Sequence, residues 1–310
     1  MSSLSAYLKK PWIDAKSFVE LQKKVSQTAI RRVVPLDASW YMPNVPRDPR
    51  QEYIDERIPG ARFFDIDGIK DTQSPYPHML PSRSDFYKGL SQLGLKQDDI
   101  FVVYDKTGVF SAPRAVWMLK SFGHHDTLLL NSFVEYKALD FPLESGEPEY
   151  EQSEYHLSSE PSPSATTPPS DVPSLVTFDE LKSIVENNHN NSASYPYIID
   201  ARPEGRFKGT APEPRPGLSS GHIPGATSVP FSELIENGKF KDPVDIGKIF
   251  KAKGVSNDKP IILMCGTGVT ACVLENGLQA SGITQQPIRV YDGSWTEWAQ
   301  RASENLIVKD

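Results

Sequence analysis

Ile261-Ile262-Leu263-Met264-Cys265-Gly266-Thr267-Gly268-Val269-Thr270 is the stretch on which the reading of this chain turns. Ile261 to Met264 is a short, wholly apolar run, the mark of a strand buried on both faces of a sheet. It ends on a cysteine. Gly266 and Gly268 then let the backbone turn into a helical pattern from Val269 to Ala280. Such a turn aims several main-chain N–H groups at the sulfur, and the helix N-terminus adds partial positive charge. A thiol of ordinary pKa about 8.5 is lowered by such surroundings, which makes Cys265 a nucleophile able to carry a second sulfur. The bland alternative is a buried structural thiol, and that is the reading of Cys272, further along the helical pattern.

The same order of elements occurs twice, at an offset of about 160 residues, which is the signature of a duplicated domain. Val33 to Ser39 matches Tyr197 to Arg202, each an apolar strand with an aspartate at its end, Asp37 and Asp200. Ile58-Pro59-Gly60-Ala61 matches Ile223-Pro224-Gly225-Ala226, a turn entering a further strand. Ile100 to Asp105 matches Ile261 to Cys265, so the first copy has Asp105 where the second has cysteine. Each copy opens with a helix, capped by Asp14 in one and by the box Thr177 to Glu180 in the other. Strands alternating with helices predict an α/β fold, each copy a mainly parallel sheet covered on both faces, with ligands beyond the carboxyl ends of the strands. Between the copies, Glu144 to Pro173 holds six Glu, seven Ser and six Pro and reads as a linker. The expected division is 1–143, linker 144–173 and 174–310.

The 310 residues suit two domains, and 38% hydrophobic residues supply two cores. A net charge of −7 gives no reason to expect direct nucleic-acid binding or an anionic membrane surface. Two cysteines exclude a disulfide framework and point to a reducing compartment. No apolar run is long enough to span a bilayer. The start, Met1 to Lys10, has no hydrophobic region and poorly fits a transit peptide. His124, His125, His156, His189 and His222 lack partners at metal-ligand spacing, so no metal is expected; no dinucleotide fingerprint is present, so no cofactor is either. His222 reads as structural, and Trp295 and Trp298 as packing of the last helix on its sheet.

Two copies with Asp200-Ala201-Arg202, His222-Ile223-Pro224-Gly225-Ala226, one cysteine loop and Val290-Tyr291-Asp292-Gly293-Ser294-Trp295 resemble the tandem-rhodanese sulfurtransferases. The resemblance covers both copies and implies two rhodanese-like domains, the first catalytically silent because Asp105 cannot hold a persulfide. The loop Cys265 to Ala271 is similar to the 3-mercaptopyruvate sulfurtransferase branch, whose members read Cys-Gly-Ser/Thr-Gly-Val-Thr; thiosulfate-specific rhodaneses carry Arg and Lys after the cysteine. A dianion gains from loop cations, whereas Gly266 and Thr267 offer only dipoles. The resemblance makes Gly266, Thr267, Gly268, Val269 and Thr270 the persulfide cradle. It places Arg206 and Arg215, in the stretch Gly205 to Arg215, on the substrate carboxylate and keto oxygen, where guanidinium forks suit a planar anion. It also implies a relay of Asp67 and His78 to the loop hydroxyl, here Thr267 in place of the Ser of many animal members.

The function that the resemblance implies is attack by Cys265 on the sulfur of 3-mercaptopyruvate, release of pyruvate, and transfer of the outer sulfur to a thiol or thioredoxin-type acceptor. Phe122-Gly123-His124 and Leu128 to Phe133 resemble fungal members that serve tRNA thiouridine modification, which implies a sulfur-carrier-activating protein as partner and a cytoplasmic, and also mitochondrial, location. Two alternatives stand beside this: a thiosulfate sulfurtransferase, and a noncatalytic rhodanese-type scaffold. A dual-specificity phosphatase of the same fold needs Arg six residues beyond its cysteine, and that position is Ala271.

Overall fold

The structure, a computed structural model, describes residues 4–28, 30–156, 172–187 and 195–310. Residues 157–171 of the expected linker and His189 lie outside them. The described residues form two compact units: 4–72, 80–156 and 237–239 make the first, 73–79, 172–236 and 240–310 the second. The short segment 73–79 thus packs with the second unit although it lies in the first half of the chain.

Twelve strands are formed by the described residues: β1 (Trp12–Ile13), β2 (Val33–Asp37), β3 (Arg62–Phe63), β4 (Ile100–Tyr104), β5 (Thr127–Leu130), β6 (Leu175–Val176), β7 (Tyr197–Asp200), β8 (Ala226–Ser228), β9 (Ile235–Glu236), β10 (Lys239–Phe240), β11 (Ile261–Met264) and β12 (Ile288–Tyr291). In the first unit the sheet order is β1-β5-β4-β2-β3, in the second β6-β12-β11-β7-β8, and neighbouring strands run parallel throughout both. The duplication read from the sequence is therefore one topology used twice.

The strands alternate sides, so each sheet feeds two layers. On one face of the first sheet Ile100, Val102 and Tyr104 meet Phe18, Leu21 and Val25 of the helix Ala15–Ser26, which Asp14 caps by accepting from Ser17 N at 2.8 Å. In the second unit Ile262 and Met264 meet Trp295 and Trp298, both 0% exposed. The two indoles bury large apolar surface yet keep their N–H groups bonded, Trp295 to Ser219 O and Trp298 to Leu306 O. His222 is structural as well, stacked on Phe207 with Nδ1 3.0 Å from Phe207 O.

The first part of the Pro/Ser/Glu-rich stretch, up to His156, packs on the first unit. Arg57 pairs with Glu144, Arg62 covers the Tyr150 ring, and buried Tyr155 bonds His124 Nδ1 at 2.6 Å. Burial pushes His124 down to about 4, so the imidazole is neutral beside that phenol.

Both β2 and β7 end on a wholly buried aspartate. Asp200 is clasped by Arg202, but the first copy has Ser39 at that place, and Asp37 accepts from Ser39 N with Lys106 Nζ 4.0 Å away. Burial dominates and pushes Asp37 up from 3.8 to about 6. The folded state then holds this proton more tightly than the unfolded chain does. Stability on this account falls as pH rises from about 4 through about 6, by about 3 kcal/mol in full. Asp37→Asn should flatten that loss, measured as the change in urea midpoint between about pH 4 and about pH 7.

Candidate active site

Parallel pairing of β11 with β7 sets Met264 opposite Asp200. Ala201 N donates to Met264 O at 2.8 Å, which brings the Asp200-Ala201-Arg202 turn alongside Cys265, the next residue. Cys265 is 2% exposed and begins a loop that runs to Thr270, the helix Ala271–Ser281 following directly. Gly268 has φ +78°, a conformation open to glycine at little cost. Cys272 lies in the first turn of that helix, nearer the loop than the sequence suggested; it is fully buried and its Sγ donates to Gly268 O at 3.3 Å.

A second turn holds the loop from outside. Ser294, at φ +51°, accepts from Cys265 N at 3.1 Å and donates to Tyr291 O at 2.8 Å. Trp295 N donates to Cys265 O, and the Thr296 amide and hydroxyl both donate to Gly266 O. The backbone at Cys265 is thus fixed by the start of the helix Ser294–Arg301. Sequence reasoning gave Ser294 and Thr296 no role of their own; their one local signal is the Gly293-Ser294 turn straight after an apolar strand.

The first copy shows what such a loop surrounds. Asp105 is 0% exposed and takes five main-chain hydrogen bonds. Thr107 N and Gly108 N donate to Oδ1 at 3.0 Å each; Phe110 N, Ser111 N and Ala112 N donate to Oδ2 at 2.9, 3.0 and 2.9 Å. This is a ring of backbone dipoles closed on one anion. By position its counterparts in the second copy are the amides of Thr267, Gly268, Thr270, Ala271 and Cys272. The cradle of the first copy is thus already full.

Around Cys265 the structure brings together Arg206, Thr267 and His78. Arg206 Nη2 would lie 3.2 Å from a Cβ placed on Gly266, so the guanidinium rests directly against the residue after the cysteine. It does not come alone. Glu213, its side chain 2% exposed, accepts from Arg206 Nε at 3.0 Å and from Nη2, and also from Arg202 Nη1 at 2.7 Å. Arg202 in turn binds Asp200 and Gly221 O and lies 4.1 Å over the Trp295 ring. Burial works against its charge, but Asp200 and Glu213 hold Arg202 above its ordinary value. Glu213 was missed in the sequence; a carboxylate set between Pro212 and Pro214 and flanked by arginines was its signal.

His78 Nδ1 and Thr267 Oγ1 are hydrogen-bonded at 3.1 Å, both residues nearly buried, with His78 at φ +63°. Asp67 belongs to the first unit, where Trp40 Nε1 donates to it at 2.8 Å and Lys70 Nζ stands 3.8 Å away. Arg215 lies half-buried in the loop that follows Glu213. Among the described residues no group of three or more His, Cys, Asp or Glu comes together to hold a metal, and no helix is long and apolar enough to cross a membrane.

The rhodanese-like domain family matches residues 45–139 and again 177–301. The chain belongs to the rhodanese family. It is 40% identical over 279 residues to the 3-mercaptopyruvate sulfurtransferase of Mus musculus, covering 89% of this chain and 88% of that one. It is 36% identical over 318 residues to the thiosulfate sulfurtransferase Tum1 of Saccharomyces cerevisiae, covering 96% and 97%. The Tum1 crystal structure superposes with a TM-score of 0.84 over 97% of this chain and 98% of that chain. A sulfur transferase subunit of yeast mitochondrial complex I also gives 0.84, at 40% identity, over 97% of this chain and 100% of its own. Sulfur transfer is the activity these relatives share, and the family is the one that the motifs resembled.

Asp105→Ala would leave five main-chain N–H groups, three of them in buried bonds, without their acceptor. It is expected to lower the unfolding free energy by roughly 3 kcal/mol or more, while Asp105→Asn, which keeps one acceptor oxygen, loses less. Urea titration of the two variants checks the order.

Proposed function

We propose that this rhodanese moves sulfur from 3-mercaptopyruvate, through a persulfide on Cys265, to a thiol acceptor. The observation that carries the reading is the filled anion cradle around Asp105: the same loop in the second copy has cysteine at the position where an anion belongs. The Cys265 thiolate attacks the substrate sulfur. The carbon–sulfur bond breaks, its electron pair leaves with carbon as the enolate of pyruvate, and the sulfur stays as Cys–S–SH. Protonation of the enolate carbon completes pyruvate. An incoming thiolate then takes the outer sulfur as its own persulfide and restores the Cys265 thiolate.

Residue roles accord with the same reading. Amides of Gly266 to Thr270 and the first helical turn stabilise the anionic persulfide. Arg206 grips the substrate carboxylate with the edge that Glu213 leaves, and Arg215 adds a second fork. Thr267, bonded to His78, passes the proton, with Asp67 completing the relay. Thiosulfate is the second reading, favoured by the activity in the name of Tum1. Delivery of sulfur toward tRNA thiolation through a carrier-activating protein, in cytoplasm and mitochondria, extends the reading to the cell; the yeast mitochondrial relative supports the second location.

Brief incubation with 3-mercaptopyruvate should add one sulfur, about 32 Da, to the intact protein and release pyruvate. Cys265→Ser should show neither while remaining folded; turnover in that variant would remove Cys265 from the chemistry. Thr267→Val keeps the shape of the side chain and deletes its hydroxyl. Its kcat with mercaptopyruvate is expected to fall about 100-fold, with a smaller loss in loading from thiosulfate, which requires no carbon to be protonated.

A further inference from the structure

Beside the Cys265 loop lie two guanidinium groups, Arg202 and Arg206, and two carboxylates, Asp200 and Glu213, all within the second unit. Nearly all this charge is buried: Arg202 is 1% exposed at its side chain, Asp200 0% and Glu213 2%, and Arg206 alone reaches 18%. Opposite charges in contact cancel at a distance, and in a site shielded from water the sum decides what anion can enter. Over these four groups the sum is zero. Arg202 commits its fork to Asp200, Glu213 and Gly221 O. Arg206 is the cation against Gly266, and Glu213 occupies its Nε and Nη2.

We propose that Glu213 is a specificity-determining residue: by neutralising Arg206 against Gly266, it leaves the loop directed hydrogen-bond donors without net positive charge, and so favours a monoanionic sulfur donor over a dianionic one. The proposal rests on the sulfurtransferase reading above and adds to it the source of donor choice. Glu213 has a second effect. It accepts from Arg202 through Oε1 and from Arg206 through Oε2, so one carboxylate fixes the Arg206 fork to the rigid strand-end turn. That makes it a positioning residue for substrate capture, since a fork held in place loses less entropy on binding.

The test measures kcat/KM for 3-mercaptopyruvate and for thiosulfate in the full chain and in two variants. Glu213→Gln keeps the size and removes the charge; the thiosulfate-to-mercaptopyruvate ratio of kcat/KM is expected to rise about tenfold, with kcat for mercaptopyruvate changing less than its KM. Glu213→Asp keeps the charge and shortens the reach; its ratio should stay within about twofold of the unaltered chain, while KM for mercaptopyruvate rises about threefold. Equal losses for both donors in Glu213→Gln, or a ratio that moves as far in Glu213→Asp, would overturn the proposal and leave Glu213 a structural strut. Should Glu213→Gln fail to fold, Glu213→Asp decides by itself, and an unchanged KM for mercaptopyruvate overturns it. Turnover of mercaptopyruvate by the unaltered chain tests the underlying reading separately. Its absence overturns that reading and the proposal together, whereas turnover with an unmoved ratio in Glu213→Gln overturns the proposal alone.

Discussion

An anion at the end of a buried strand has to find its hydrogen-bond donors within the chain, because water cannot reach it. The loop after β4 meets that demand with main-chain N–H groups alone, five of them on the Asp105 carboxylate. Everything else near the two strand ends serves that loop. The parallel register delivers its first residue beside the neighbouring strand, a glycine at positive φ turns the amides inward, and the next helix begins where the ring of donors closes. Exchanging the carboxylate for a thiol leaves this frame standing and gives it a guest that can come and go. The persulfide proposed on Cys265 is such a guest: an anion in one step of the proposed reaction and absent in the next.

The fold was almost wholly legible in the chain. Ile100 to Tyr104 and Ile261 to Met264 are too apolar for any place but the middle of a parallel sheet, and the repeated order of aspartate, turn and loop showed that both copies share one fold; the strand order came from the structure. Cys265 was legible for the same reason, because strand, cysteine, glycines and helix are contiguous. Long-range polar partners were not. Ser294 holds Cys265 N from 29 residues away, and nothing in a serine after a glycine announces which amide it will accept. Glu213 gave a clearer signal, but a carboxylate near arginines in a loop reads as a solvated charge until its burial is known. Segment 73–79 departs furthest from its place in the sequence: no periodicity says that a piece of the first half will pack with the second unit and bring His78 to Thr267.

The two copies also solve one electrostatic problem in different ways. Each has a buried aspartate at the end of the strand beside its central one, and each needs a cation near it. In the first unit the cation comes from the loop: Lys106 follows Asp105, reaches back toward Asp37 and donates to the carbonyls of Glu52 and Glu56. Burial pulls its pKa down and pushes that of Asp37 up, so this pair is a weak compensation. In the second unit the cation comes from the strand end, as Arg202, whose planar fork satisfies Asp200 with two nitrogens and still reaches Glu213. With Arg202 supplying the charge, the loop no longer needs a lysine, and Gly266 takes the place of Lys106. The residue after the cysteine is then free to be small, and a small residue is what lets Arg206 lie against the loop. Structural compensation at Asp200 and room for the Arg206 guanidinium beside Cys265 are thus two sides of one exchange.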